Sequence, residues 1–219
     1  SPINLGVSRT VAGTFQTAAG VTSSSATLTL NGIAQINAGG FFNQAPTYGP
    51  ASKLIYATGT VYNRGLEWSS NVAGVGYPNE VQVSGNTTID YPSTDAGAFS
   101  QNLGIGKNLT IDAGSSLYLG YGDNGNKSGS LTIGGNLVNN GNFGLGNAVG
   151  GDFSLRGNWT RGNAANFYAN GRTVNFIGTV AQTITGTPTF DFLTLNNSAG
   201  LTLQASSPVT VNQTLALTS

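Results

Sequence analysis

The sequence predicts an all-β protein, a right-handed parallel β-helix or β-solenoid, on three observations. Apolar–polar–apolar triplets recur in its second half at intervals of 22, 22, 21 and 19 residues. Asn-Gly and Gly-Asn pairs, which favour tight turns, lie between many of them. Helical periodicity of apolar residues is nearly missing. A period near 20 is typical of a solenoid, in which each coil of the chain buries its apolar side chains by stacking on the next. The handedness follows the rule for parallel crossovers.

The triplets define the expected core. The first and third residues of each should point inward, because successive side chains in a strand alternate between its two faces. Roughly eight to ten coils are expected from the period and the chain length. The predicted core residues are Leu109, Ile111, Leu131, Ile133, Phe153, Leu155, Val174, Phe176, Leu193 and Leu195.

Three regions are distinguishable along the chain. Residues 1–20 read as an atypical leader strand around Val7, Val11 and Phe15, which matches no coil. Residues 21–219 read as one solenoid domain: a first apolar coil and a longer excursion up to residue 80, then a regular array. The array is interrupted once, because residues 91–97 read as a loop projecting from one edge.

Asparagines at equivalent corners of the coils are expected to stack in ladders and to bond to each other or to the corner backbone. The residues concerned are Asn108, Asn136, Asn158 and Asn212.

Composition excludes several function classes. Eight basic and eight acidic side chains give no net charge, so no basic surface for nucleic acid is expected. No apolar run is long enough to insert in a membrane. Cysteine and histidine are absent, which removes disulfides, thiolate metal sites and the usual general acid–base group. We therefore expect no enzyme, no cofactor and no metal. The lack of a methionine at position 1 indicates a processed chain or a segment of a longer one.

Two segments resemble recurring parts of large secreted surface proteins of the Bacteroidetes. The first runs from Leu54 to Trp68, including Glu67-Trp68, and continues from Gly76-Tyr77-Pro78 to Val81; the second runs from Val180 to Asn197. The resemblance covers roughly residues 21–219. It implies an exported β-solenoid or adhesin-like array with a structural or adhesive role, and no particular activity.

The acidic residues offer weak candidates for a catalytic or calcium site. Asp90 and Asp112 follow Ile89 and Ile111, so both could fall on one face of successive coils, as a hydrolase pair or cation ligands. Asp123 lies in Gly120–Gly125, which is similar to a single calcium-binding β-roll repeat. For all three, a solvated turn position is the simpler interpretation.

Aromatic and threonine residues suggest two binding alternatives. Trp68, Tyr118 and Tyr121 are candidate glycan contacts of a carbohydrate-binding adhesin module. The alternative for Trp68 is burial, with Arg64 and Glu67 in a corner ion pair. Thr183, Thr185, Thr187 and Thr189 alternate, as on the flat threonine surface of an ice-binding solenoid.

The two ends of the chain carry the main functional expectation. Open solenoid ends leave unpaired backbone groups and an apolar cross-section, which natural proteins usually cap. We therefore expect a secreted structural protein whose copies assemble head to tail into a surface fibre, through solenoid ends or an exchanged N-terminal strand. The competing interpretation is that Ser219 is only where a longer chain was cut and that the array continues. The expected interface residues are Val7, Val11, Phe15, Val209, Val211, Leu215 and Leu217.

Overall fold

A computed structural model describes residues 2–89, 101–120 and 128–218. Its first half contains short strands and one 3₁₀ turn, Leu66–Trp68. The strands are β1 (Ile3–Asn4), β2 (Arg9–Val11), β3 (Thr14–Thr17), β4 (Gly20–Thr22), β5 (Leu28–Leu30), β6 (Ile33–Asn37), β7 (Phe41–Phe42), β8 (Thr47–Tyr48), β9 (Lys53–Ala57), β10 (Val61–Tyr62), β11 (Glu80–Val83), β12 (Thr88–Ile89), β13 (Leu103–Ile105), β14 (Leu109–Ile111) and β15 (Ser116–Tyr118).

The second half continues with short strands until the last coils, where they lengthen. These strands are β16 (Leu131–Ile133), β17 (Leu137–Asn139), β18 (Asn142–Gly144), β19 (Phe153–Leu155), β20 (Trp159–Arg161), β21 (Asn166–Tyr168), β22 (Thr173–Phe176), β23 (Gln182–Thr185), β24 (Thr189–Leu195), β25 (Leu201–Leu203) and β26 (Thr210–Leu217).

The strands pair in parallel between successive coils, so the chain is an all-β solenoid of about nine coils. One sheet, here the long sheet, has nine strands and runs through every coil: β3, β6, β9, β11, β14, β17, β20, β23 and β25. Two further faces complete the coil. The second face holds β1, β4 and β7, then β10, β12, β15, β18 and β21. The third face holds β2, β5 and β8, then β13, β16, β19, β22, β24 and β26. The fold prediction is confirmed, while the handedness stays a prediction.

The leader expected at residues 1–20 pairs as the first coil. Strands β1, β2 and β3 pair in parallel with β4, β5 and β6 of the next coil. Residues 1–20 therefore pair as part of the solenoid. Their exchange into another copy stays a prediction.

The core is one continuous apolar cluster along the solenoid axis. All ten predicted core residues belong to it, nine of them buried and Leu195 partly buried at its edge. The order of the triplets is corrected in one place. Leu131 pairs with Leu103 on the third face, whereas Leu109 pairs with Val81 and Leu137 in the long sheet. The coil of Leu103 thus contributes two similar apolar triplets, Leu103–Ile105 and Leu109–Ile111, to different faces.

Corner asparagines form a ladder between coils, as predicted. The Oδ1 of Asn108 accepts the Asn136 N–H at 2.9 Å, Asn136 accepts the Asn158 N–H at 2.8 Å, and Asn158 accepts the Thr183 N–H at 2.9 Å. Asn212 lies outside this ladder and donates to the Asp191 carboxylate at 3.0 Å. The ladder supplies acceptors for backbone donors at a corner, where the strand ladder stops.

The solenoid is interrupted in its third face by residues 63–79, here the excursion. It lies in the coil between β8 and β13, where the 3₁₀ turn replaces a strand. The fully buried Trp68 fills the core there, and its indole N–H donates to the Gly104 carbonyl at 2.9 Å. None of the described helical residues forms a segment long and apolar enough to cross a membrane.

Candidate functional site

The excursion places a carboxyl group inside the core. The Glu67 side chain is fully buried, and its Oε1 accepts hydrogen bonds from the Gly65 N–H at 2.9 Å and the Tyr56 hydroxyl at 3.1 Å. Its Oε2 has no hydrogen-bond partner among the described residues. Burial raises the pKa of Glu67, against smaller lowering effects of those hydrogen bonds and of the Arg64 charge.

Neighbouring polar groups tie this carboxyl to the excursion backbone. The Tyr48 hydroxyl donates to the Glu67 carbonyl at 2.8 Å, and the buried Arg64 guanidinium donates to the Trp68 carbonyl. Trp68 is 0% exposed, so the prediction that it contacts glycan is wrong. The burial of Trp68 that the alternative requires is confirmed, while the ion pair of Arg64 with Glu67 stays a prediction. This cluster holds the excursion in the core and offers no open site for a substrate.

The other described carboxylates each bridge neighbouring coils. Asp112 Oδ2 accepts from the Gln82 amide at 2.6 Å, and Glu80 Oε1 accepts from the Asn108 amide at 3.1 Å. Asp152 accepts the Thr173 N–H at 2.9 Å, and Asp191 accepts the Gly171 N–H at 2.7 Å. Within the described ranges no group of three or more His, Cys, Asp or Glu residues could hold a metal ion.

Several predicted positions lie outside the described residues. They are Asp90, Asp123 and Tyr121, together with the loop 91–97. The pairing of Asp112 with Asp90, and the glycan contact at Tyr121, therefore stay predictions.

Tyr118 lies on the outer surface of the second face. It follows the inward-pointing Leu117 on β15, and it pairs through Gly144 with Tyr168 two coils on. The two tyrosine rings meet across this glycine, with centroids 6.4 Å apart and planes tilted by 40°. Sequence reasoning missed Tyr168, because two coils separate it from Tyr118 and only the register aligns them.

The threonines proposed for ice binding do not form a uniform surface. Thr183 and Thr185 both lie on β23, where they stack on Thr202 and Thr160 of the adjacent coils. The central outward column of the long sheet is mixed: Gln16, Gln35, Ile55, Gln82, Thr110, Val138, Thr160 and Thr185. An array that binds ice needs the same small polar side chain in every coil, so this wall does not favour that function.

The two ends of the solenoid expose apolar side chains beside unpaired strand edges. At the N-terminal end Val7 is 52% exposed, and Val11 and Phe15 are partly buried. At the other end Leu203, Leu215 and Leu217 are exposed, the last to 71%. Val209 and Val211 are partly buried against the core. Sequence reasoning missed Leu203, which lies on β25 in a triplet like those of the core.

These edges also lack the charges that normally protect exposed strands. Residues 10–52 and 192–219 contain no Asp, Glu, Lys or Arg, which leaves Arg9 as the one charged side chain on the outermost strands β1, β2, β3, β25 and β26. Edge strands that must stay unpaired usually carry Lys, Pro or inward charges. The ends are therefore suited chemically to pairing with further strands.

No protein-family model, no curated protein and no solved structure matches the chain.

Proposed function

We propose that this protein is an extracellular structural subunit whose copies stack head to tail, end on end, into a fibre. The observation that carries the proposal is the pair of apolar solenoid ends, on whose outermost strands Arg9 is the one charged side chain. Stacking one end on another would pair the free backbone groups of the edge strands and cover Leu203 and Leu217. Such a contact joins two different surfaces, so it does not close on itself and extends as a filament.

The use of the carboxylates supports a structural role over a catalytic one. Asp112, Asp152 and Asp191 each serve a separate hydrogen bond between coils. A carboxylate-based hydrolase needs two such groups converging on one substrate. Turnover of a polysaccharide that is lost in Asp112→Ala, with the fold intact, would overturn this part of the proposal.

Electron microscopy and sedimentation of the purified chain test the fibre. Nine coils at about 4.8 Å each predict an axial repeat of about 43 Å per subunit. Leu203→Lys should give monomers, because it places a charge in the contact. Thr202→Lys is the matched control: it lies on the same strand, points outward and should still assemble. Monomers of the unsubstituted chain at high concentration would refute the fibre.

The extracellular location rests on the resemblance of the two segments to secreted surface proteins. Antibody labelling of intact producing cells should detect the chain at the surface. Signal seen only after the cells are opened would contradict this part of the proposal.

A second candidate function is carbohydrate binding, as an adhesin module. The observation that favours it is the pair of outward tyrosines, Tyr118 and Tyr168, since aromatic rings on a surface can stack on sugars. A glycan array with defined hits that are lost in Tyr168→Ala would support it. Hits that survive this substitution and its Tyr118→Ala counterpart would exclude this site.

A further inference from the structure

The last strand of the third face lies one coil beyond the last strand of the long sheet. Along the chain each coil passes from the third face into the long sheet, as β2 leads into β3 and β24 leads into β25. After β25 the chain returns to the third face once more, where β26 pairs with β24. Among the described residues this further coil consists of β26 alone, because β25 ends the long sheet.

The first coil of a second copy can complete this further coil. In the long sheet one inward column begins at Phe15 on β3 and ends at Leu203 on β25. A second copy whose β3 pairs with β25 continues that column. Its own β2, however, would then lie in the layer of the third face that β26 already occupies. One of these two strands has to leave.

β26 is in register to take the place of β2. Three strands of the third face start five residues before one column of the long sheet: Arg9 before Thr14, Leu28 before Ile33, and Leu103 before Asn108. Leu103 shares its column with Leu215. Three residues of β26 therefore match the three residues of β2: Leu215 matches Arg9, Ala216 matches Thr10, and Leu217 matches Val11.

Of the two strands, β2 is the less suited to the core. It places Arg9 opposite the buried Leu28, and inward charges on an edge strand oppose pairing. β26 offers Leu215 at that position and Leu217 opposite Leu30. The exchange therefore covers two leucines that are 56% and 71% exposed in the single chain.

β2 is also held by few contacts. It has three residues, of which Arg9 and Thr10 are exposed, whereas β26 pairs with β24 over most of its eight residues. Gly6 and Gly13 flank β2, and nothing lies within 4 Å of the Cβ position of either glycine. The chain therefore has room and conformational freedom to turn at both ends of β2.

We infer that β26 of one copy replaces β2 of the next copy at each junction of the fibre. β26 then pairs in parallel with β5 of the next copy, while β25 pairs with its β3. Residues 1–12 of that next copy leave the solenoid, including β1, whose place is taken by residues 204–209 that lead from β25 to β26. This inference rests on the proposed fibre and specifies its contact.

A disulfide that holds β2 in place tests the replacement, because the natural chain contains no cysteine. Thr10 on β2 pairs with Thr29 on β5. Strands paired in this way lie about 4.8 Å apart, within the Cα separation of about 4.4–6.8 Å that a disulfide spans. The Thr10→Cys/Thr29→Cys chain, oxidised as a dilute monomer, should lose the sedimentable assemblies of the natural chain. Reduction should restore them.

The matched control places the same bond one coil further in. Thr29 also pairs with Thr47 on β8, so a disulfide in the Thr29→Cys/Thr47→Cys chain leaves β2 free. This chain should assemble in both the oxidised and the reduced state. Full assembly of the oxidised Thr10→Cys/Thr29→Cys chain would overturn the replacement.

Cross-linking between copies tests the register of the new strand pair. Ala216 should lie opposite Thr29 of the next copy, so a mixture of Ala216→Cys and Thr29→Cys chains should give a covalent dimer on mild oxidation. In the control mixture, Thr214→Cys with Thr29→Cys, both side chains still point outward but the Cα atoms lie about 8 Å apart, too far for a disulfide. It should give no dimer above the level of either variant alone. Sedimentation before oxidation verifies that the variants assemble.

The outcomes separate the replacement from the fibre. If the natural chain and the Thr29→Cys/Thr47→Cys control assemble, but the tethered chain also assembles or the Ala216→Cys mixture gives no dimer, the replacement is wrong and the fibre stands. If the natural chain remains monomeric, the proposed function fails and the replacement fails with it.

Discussion

Glu67→Gln should remove a pH dependence of stability that the buried carboxyl imposes. The glutamine amide keeps an acceptor for the Gly65 N–H and the Tyr56 hydroxyl but carries no charge at any pH. In the natural chain, burial raises the pKa of Glu67 above its value in the unfolded chain, about 4.3. The folded state therefore holds the proton more tightly than the unfolded state does.

The sign of the effect follows from that difference. The contribution of Glu67 to stability is fully present below the unfolded pKa and is lost as the pH rises through the folded pKa. Ionisation leaves Oε2 charged, buried and without a donor among the described residues. Leaving a buried acceptor without a partner costs about 1–3 kcal/mol, and more when it is charged, so we expect a loss of that order as the pH rises above about 4.3.

Urea unfolding at a series of pH values, followed by tryptophan fluorescence, measures this loss. Trp68 reports directly, because it follows Glu67 in the same 3₁₀ turn. The free energy of unfolding of Glu67→Gln should not show the loss. Glu80→Gln is the matched control: it removes a half-buried carboxylate and should leave the loss in place. An equal loss in Glu67→Gln and in the natural chain would refute the reasoning.

Two further predictions concern the corners of the coils. Gly134→Ala should destabilise the chain by about 1–3 kcal/mol, because its Cβ would lie 2.2 Å from the Gly106 carbonyl oxygen; Gly13→Ala, whose Cβ meets nothing within 4 Å, should change stability by less than about 0.5 kcal/mol. Asn136→Ala should cost about 1 kcal/mol, since it removes the acceptor of the Asn158 backbone N–H, and Asn212→Ala should cost less, since it removes only a side-chain bond from the last strand to Asp191. Thermal unfolding of the four variants checks both predictions; equal effects within either pair would contradict the geometry.

The sequence carries enough information to predict the coil but not to assign every strand to its face. Leu131, Phe153, Val174 and Leu193 do share one column, as their spacing indicates. The true predecessor of that column, Leu103, is hidden for two reasons. Its triplet has glycine at the centre, and its coil is 28 residues long, counted from Leu103 to Leu131. The Leu109 triplet has the same apolar pattern but lies on another face. The periodicity of the sequence alone therefore assigns Leu109 to the wrong column.

The first coil and the candidate site show the same limit. Strand β2 begins with Arg9, opposite Leu28 of the next coil, so its pattern does not reveal the pairing with β5. The burial of Trp68 depends on the excursion entering the core, which no local pattern predicts. The apolar ends, by contrast, could be predicted from the strand-forming sequence near both termini, in which Arg9 is the one charged residue on the outermost strands; Leu203 was missed.

The interrupted third face has a mechanical consequence. Between the third coil and the coil of the excursion, β9 pairs with β11 in the long sheet. The sheets of the other two faces are interrupted there: β7 and β10 belong to different sheets, and so do β8 and β13. The excursion meets the third coil through irregular contacts: Thr47 bridges to Val75, the Gly76 N–H donates to the Pro46 carbonyl at 2.8 Å, and the Tyr48 hydroxyl donates to the Glu67 carbonyl. Tension along the axis loads the junctions between coils in series, so the junction with the fewest regular strand pairs opens first. We expect a stretched chain to part there, leaving the first three coils as one fragment and the remaining coils as another.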